Sequence, residues 1–91
     1  MMSGLYIYDS AKAAANLAKH KVSFATAENF DWTTALVVED DRFDYGERRY
    51  VAIGLIGRRL HVMVFTQRGA SVRLISLRKA NRRETRRYEQ G

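Results

Sequence analysis

From residue 50 to residue 77 the apolar positions come in strand-length runs. Residues 50–56 and 60–66 are almost continuously hydrophobic, the pattern of strands covered on both faces. Residues 71–77 alternate instead. A strict period of two puts Val72, Leu74 and Ser76 on one face and Arg73, Ile75 and Leu77 on the other. Short turns at Gly57-Arg58 and Arg68-Gly69-Ala70 would make these three strands an antiparallel meander. Two further strands are predicted at residues 5–8 and 34–38, the second followed by a polar loop over 39–47.

The remaining segments have helical character. Residues 11–19 are rich in strong helix formers, with Asp9 or Ser10 as cap and Ala13, Ala14, Leu17 and Ala18 as the apolar stripe. A second, shorter helix opens at Ser23 and ends near Asn29, with Val22 and Ala27 placed for a hydrophobic staple. Phe30 and Trp32 read as packing plugs in the connection that follows. After Arg78 a third helix is expected, polar nearly all round, with only Ala80 and Tyr88 to pack. Such a helix needs a partner; the alternative is a solvated tail. The expectation is one α+β two-layer domain over residues 1–91: an antiparallel sheet, two N-terminal helices on one face and a C-terminal helix.

Charge changes this picture. The chain carries a net +6, and residues 78–91 hold six Arg or Lys against two Glu, which points to a polyanionic partner. Arg49, Arg68, Arg73 and Arg78 stand near strand ends, where they either converge on one patch suited to phosphate or merely solvate sheet edges. With no cysteine, disulfides and thiolate chemistry are excluded. The loop at 39–47 holds five acids, but not at calcium-loop spacing, and Arg42 within it and Arg48 and Arg49 just after it compete for the carboxylates. No metal or cofactor is expected. No apolar run approaches the roughly 20 residues of a membrane span, and no signal peptide is visible; a cytoplasmic protein without membrane contact is expected. His20, between Lys19 and Lys21, should be held neutral by those cations, as a general base or a helix-end cap. His61 reads as a packed residue.

The ordered motifs Tyr8-Asp9-x-x-Lys12-x-x-x-Asn16-x-x-Lys19-His20-x-Val22-Ser23-Phe24-x-x-Ala27, Asp44-Tyr-Gly-Glu47, Arg49-Tyr-x-Ala-Ile-Gly54, Val64-Phe-Thr-x-Arg68-Gly69, Arg73-x-Ile-Ser-x-Arg78-Lys-Ala80 and Arg82-Arg-Glu84 resemble the BrnT family of toxins almost end to end. The resemblance implies a RelE-like fold and a ribonuclease that halts translation. It also implies neutralisation by a BrnA-type ribbon-helix-helix antitoxin, through which alone operator DNA would be bound. The chain departs from the family pattern at Tyr8, where Trp is usual, and at Lys21, where Gly is usual. Lys21 must then either take the left-handed conformation at about 1 kcal/mol or end the helix differently.

On that resemblance, the expected chemistry is metal-independent cleavage of RNA. Arg49, Arg73 and Arg78 would clamp the phosphate, and either His20 or Glu47 would take the 2′-hydroxyl proton. Lys19, Arg68, Lys79, Arg82 and Arg83 would attract RNA by charge. The runner-up is a non-catalytic nucleic-acid- or protein-binding module of the same fold.

Overall fold

The computed structural model describes residues 5–91. Their elements are strand β1 (Tyr6–Ile7), helix α1 (Ser10–His20), a 3-10 helix (Phe24–Asn29), strands β2 (Leu36–Asp40), β3 (Arg49–Ile56), β4 (Arg59–Arg68) and β5 (Ser71–Lys79), and helix α2 (Arg82–Gln90). The five strands form one sheet in the order β1-β5-β4-β3-β2. The meander from β2 to β5 is antiparallel as expected, but β1 lies parallel to β5, so the sheet is mixed.

Two elements differ from the expected ones for local reasons. Asp31 accepts from the Thr33 amide and from the Thr33 and Thr34 hydroxyls, which holds Thr34 in a turn. The second strand therefore starts at Leu36, and pairing with β3 carries it on through Glu39 and Asp40. The Ser23 element is a 3-10 helix rather than an α-helix. Ser23 caps it, its hydroxyl accepting from the Ala25 amide at 3.2 Å, and the Phe30 amide donates three residues back to Ala27. Six residues are too few to repay α-helix nucleation.

Between the sheet and the two N-terminal helical segments lies the main core. Val22, Phe24, Ala27 and Phe30 pack onto Ala52, Met63, Phe65, Val72, Leu74 and Leu77. Phe30 plugs the layer as expected: its ring sits over Gly54, where a Cβ would come within 2.5 Å of ring carbon Cζ, so only glycine fits beneath it. Trp32 packs edge-on against Phe30 and Phe65 and donates its indole N–H to the Tyr6 hydroxyl. On the opposite face a smaller core of Ile53, Val62 and Ala80 takes Tyr88 from α2.

Helix α1 is rotated from the expected orientation. Leu17 is 49% exposed, and Ala14 and Ala18 also face outward; the inward positions are Ala13, Asn16 and His20. The cause is Asn16. Strand β1 covers β5 only at Val72 and Arg73, leaving the edge beyond unpaired. There the buried Asn16 amide accepts from the Leu77 N–H at 3.1 Å and donates to the Leu77 carbonyl at 2.8 Å, doing for one residue what a neighbouring strand would do. The same side chain donates to the Val22 carbonyl at 2.9 Å. The helix then ends at Lys21, which takes the left-handed conformation (φ 62°) with its amide bonded to the Leu17 carbonyl. Asp9 occupies the N-cap position, but its side chain makes no capping bond.

Replacing Asn16 by Ala or Leu would strand the Leu77 N–H and C=O and the Val22 C=O. Unpartnered buried groups cost about 1–3 kcal/mol each, so a loss of about 3 kcal/mol is expected. Urea midpoints of parent and variants measure it; unchanged midpoints would show that solvent satisfies this edge.

Candidate functional site

The face of the sheet away from α1 carries the arginines, and a bulge puts them there. Phe65 pairs with Leu74 and Val64 with Ser76, so Ile75 stands unpaired as an extra residue in β5. Beyond it the alternation is inverted. Leu77 joins Val72 and Leu74 in the main core, whereas Arg78 and Ser76 join Arg73 on the opposite face. The uninterrupted period of two expected from the sequence placed Leu77 with Arg73 and Ser76 with Val72; the bulge reverses both.

Three cross-strand rows result. The first runs from Asp40 and Arg49 past Thr66 to Arg73. Thr66 ties this row together by donating to the Arg48 carbonyl at 2.8 Å. A second row is Val38, Val51, Val64 and Ser76, and the third is Leu36, Ile53, Val62 and Arg78. Helix α2 covers the third row and leaves the first two open. Arg73 and Arg78 therefore share a face but stand roughly 15 Å apart along the strand.

The charges at the two ends differ in their partners. Arg78 is bound bidentately by Glu84 of α2, at 2.8 and 2.7 Å. Each ion stabilises the other: the Glu84 carboxylate raises the Arg78 pKa, and Arg78 lowers that of Glu84. Glu84 also closes a capping box with Asn81 at the start of α2. Arg42 likewise holds Asp40 through two bonds, at 2.8 and 3.1 Å, and the Tyr45 hydroxyl donates to the same carboxylate. Asp40 is buried, yet these hydrogen bonds, Arg42 first, bring its pKa down to about 2. Arg73, by contrast, is half-buried with no ion pair among the described residues. Its neighbour Arg49 lies 4.2 Å over the Tyr45 ring, and its Nε is buried without a hydrogen bond, 3.6 Å from Glu47. Glu47 also lies 3.7 Å from Arg68.

The candidate residues thus fall into separate groups. Glu47, Arg49, Arg68 and Arg73 gather at one end of the open face. His20 lies in a shallow groove of about 300 Å³ around the β5 edge, with Lys12, Lys19, Ile75 and Ser76, near enough to Arg78 to feel its charge. Its pKa is lowered, by desolvation first and then by Lys19 and Arg78; the predicted direction holds, with burial ahead of the neighbouring cations. Lys79 pairs with His61 and so faces away from Arg78, while Arg82 and Arg83 are exposed on α2. His61 is buried, its Nδ1 within 2.9 Å of the Arg59 carbonyl. Among the described residues no three His, Asp or Glu cluster as metal ligands. Between the two ends, a trough of about 330 Å³ is floored by Val38, Val51 and Val64, with the buried Val62 behind them, and walled by Asp41 and Arg42 on one side and Arg78, Glu84 and Arg87 on the other.

Several of these features escaped the sequence reading. The capping box had a legible signal in Asn81-x-x-Glu84. The Asp40–Arg42 pair is local, two residues apart, and competition of the loop's arginine for its carboxylates was expected. The Asn16 clamp and the bulge had no signal, because each depends on a partner supplied by another strand or helix.

The family profile described as "Ribonuclease toxin, BrnT, of type II toxin-antitoxin system" matches residues 8–84. The chain belongs to the BrnT family of ribonuclease toxins. A solved relative is the Brucella abortus ribonuclease toxin, BrnT, which is 29% identical and superposes with a TM-score of 0.68 over 86% of this chain and 99% of that one. Among curated proteins there is no match. Membership of a type II toxin–antitoxin family implies an antitoxin as partner. No described helix is long and apolar enough to cross a membrane.

Acid should loosen this face of the toxin. Because the Asp40 pKa is depressed from 3.8 to about 2, its contribution to stability is complete above about pH 4 and is lost as pH falls through 2. Glu84 is shifted in the same direction. Thermal midpoints measured from pH 5 down to pH 2 should fall steeply for the parent and less so for Asp40→Asn; parallel curves would show that Asp40 does not report on folding.

Proposed function

We propose that this BrnT-family toxin, acting as a single RelE-like domain in the cytoplasm, cuts RNA internally without a metal ion and so arrests translation. The observation that carries this reading is Arg73, a half-buried cation with no acidic partner, set beside Arg49 on an open sheet face of a ribonuclease-toxin fold. A cation desolvated without a counter-ion is poised for an external anion, and a phosphate fits the guanidinium fork. The 2′-oxygen attacks phosphorus, the bond to the 5′-oxygen breaks, that oxygen takes a proton from solvent to become the downstream 5′-hydroxyl, and a 2′,3′-cyclic phosphate remains on the upstream product. Arg73 and Arg49 stabilise the charge that builds on the phosphate oxygens. Glu47 stands at the same end and is the base we assign to the 2′-hydroxyl. His20, neutral at the other end, is the alternative, and it would require the phosphate to sit beside Arg78. Arg78 would first have to release Glu84.

Removing a charge-stabilising donor costs about 3 kcal/mol of transition-state energy, a hundredfold or more in rate. Arg73→Ala should therefore abolish growth arrest at equal expression and leave the urea midpoint unchanged, while Arg83→Ala stays toxic. Cleavage should persist in excess EDTA. Full toxicity of Arg73→Ala would move the site elsewhere, and activity that magnesium alone restores after chelation would overturn the metal-free reading.

The antitoxin, of the BrnA ribbon-helix-helix type on this reading, should be acidic where it meets the basic surface of α2. Arg82, Arg83, Arg86 and Arg87 repel one another along that helix, and an anionic partner relieves the repulsion. Deleting residues 82–91 should weaken antitoxin binding, and salt should slow association with the intact toxin. Titration of both chains at low and high salt is the test; equal, salt-independent affinities would place the contact elsewhere.

A further inference from the structure

We infer that the valine trough is a nucleobase subsite and that it selects guanine. The inference rests on the ribonuclease reading, and the trough's own chemistry distinguishes it from a second phosphate site. Its floor is the apolar face of β-branched side chains, which offers nothing to an anion. The arginines that bind acids along its walls, Arg42 and Arg78, already hold Asp40 and Glu84 bidentately. What remains is an apolar bed with an unengaged acid, Asp41, on one wall and on the other the exposed Arg87, which has no ion pair among the described residues and can meet a nucleotide's phosphate while the bed takes its base. The exposed Asp41 carboxylate has no hydrogen bond or ion pair among the described residues.

A flat, uncharged ring with polar edges suits that combination, and an unstacked base is such a ring. Guanine presents N1–H and an N2 amino group side by side on its Watson–Crick edge, so one carboxylate can accept both. Uracil offers a single donor there, and adenine and cytosine each offer one amino group. Glu39, the other acid at the trough without a side-chain partner among the described residues, pairs across the sheet with Tyr50, and its side chain therefore leaves the sheet on the opposite face. Position supports the same reading. Val64 precedes Thr66, the row of Arg49 and Arg73, by two residues, a displacement of about 7 Å. That span is comparable with the distance from base to phosphate within one nucleotide. A base on the valines therefore leaves its phosphate beside Arg73.

Uncleavable 2′-O-methyl oligonucleotides separate recognition from cleavage. All-uridine decamers carrying one central guanine, adenine or cytosine are titrated into the full chain and followed by fluorescence anisotropy. The guanine decamer should bind about tenfold more tightly than the all-uridine one, the value of one charge-assisted contact. Asp41→Asn should collapse that advantage to the all-uridine level. Val64→Thr, which keeps the shape and strand preference but wets the floor, should weaken guanine binding several-fold. Equal affinity for the four decamers would overturn the subsite, and so would competition by an arginine-containing peptide without any base preference, since that would make the trough a protein-docking groove. Guanine-selective binding with no cleavage of the matching 2′-hydroxyl RNA would uphold the subsite and remove the ribonuclease reading instead.

Discussion

A single side-chain amide fixes helix α1 to the open edge of the sheet. Strand β1 is too short to cover β5, and the exposed edge lies where the sheet must be sealed against α1. Asn16 supplies both a donor and an acceptor to Leu77 and a second donor bond to Val22. No apolar side chain could meet those backbone groups, and leaving them unmet in a buried setting would cost more than packing there could return. The rotation of α1 follows from this one contact. Ala13 and His20 turn inward with Asn16, and Leu17 is left half in solvent.

The arginine-bearing face depends on that seal. Because α1 and the 3-10 helix occupy one side of the sheet, the other is left for α2 and for the proposed site. Helix α2 has almost no apolar surface, so its attachment is largely polar: a capping box, the bidentate Arg78–Glu84 pair, and Tyr88 against the small second core. Glu84 serves both the cap and the ion pair, so the helix start and its attachment to β5 form one unit. Such an attachment holds in place a helix that its own packing could not.

Electrostatics then divides the face. Where arginines meet carboxylates, at Asp40–Arg42 and Arg78–Glu84, charge is spent on structure. Where Arg73 stands without an acid, and Arg49 leans on a tyrosine ring with Glu47 only at 3.6 Å, positive potential remains for a ligand. A chain with net +6 attracts polyanions over its whole surface, but a phosphate can be fixed only where a cation is desolvated and unclaimed.

The sequence by itself determined the strands of the meander, the capped start of the 3-10 segment, the plugs at Phe30 and Trp32, and the family. These rest on local periodicity, turn residues and ordered motifs, all carried by neighbours along the chain. It did not determine which arginines share a face, because one unpaired residue at Ile75 inverts the alternation and is visible only against β4. Nor did it determine that Arg78 is already held while Arg73 has no ion pair among the described residues, since Glu84 reaches β5 only when α2 folds back over the sheet. Alternation and helix formers are properties of short stretches; register, edge satisfaction and the pairing of Arg78 with Glu84 are settled between stretches, and so only the tertiary structure could decide them.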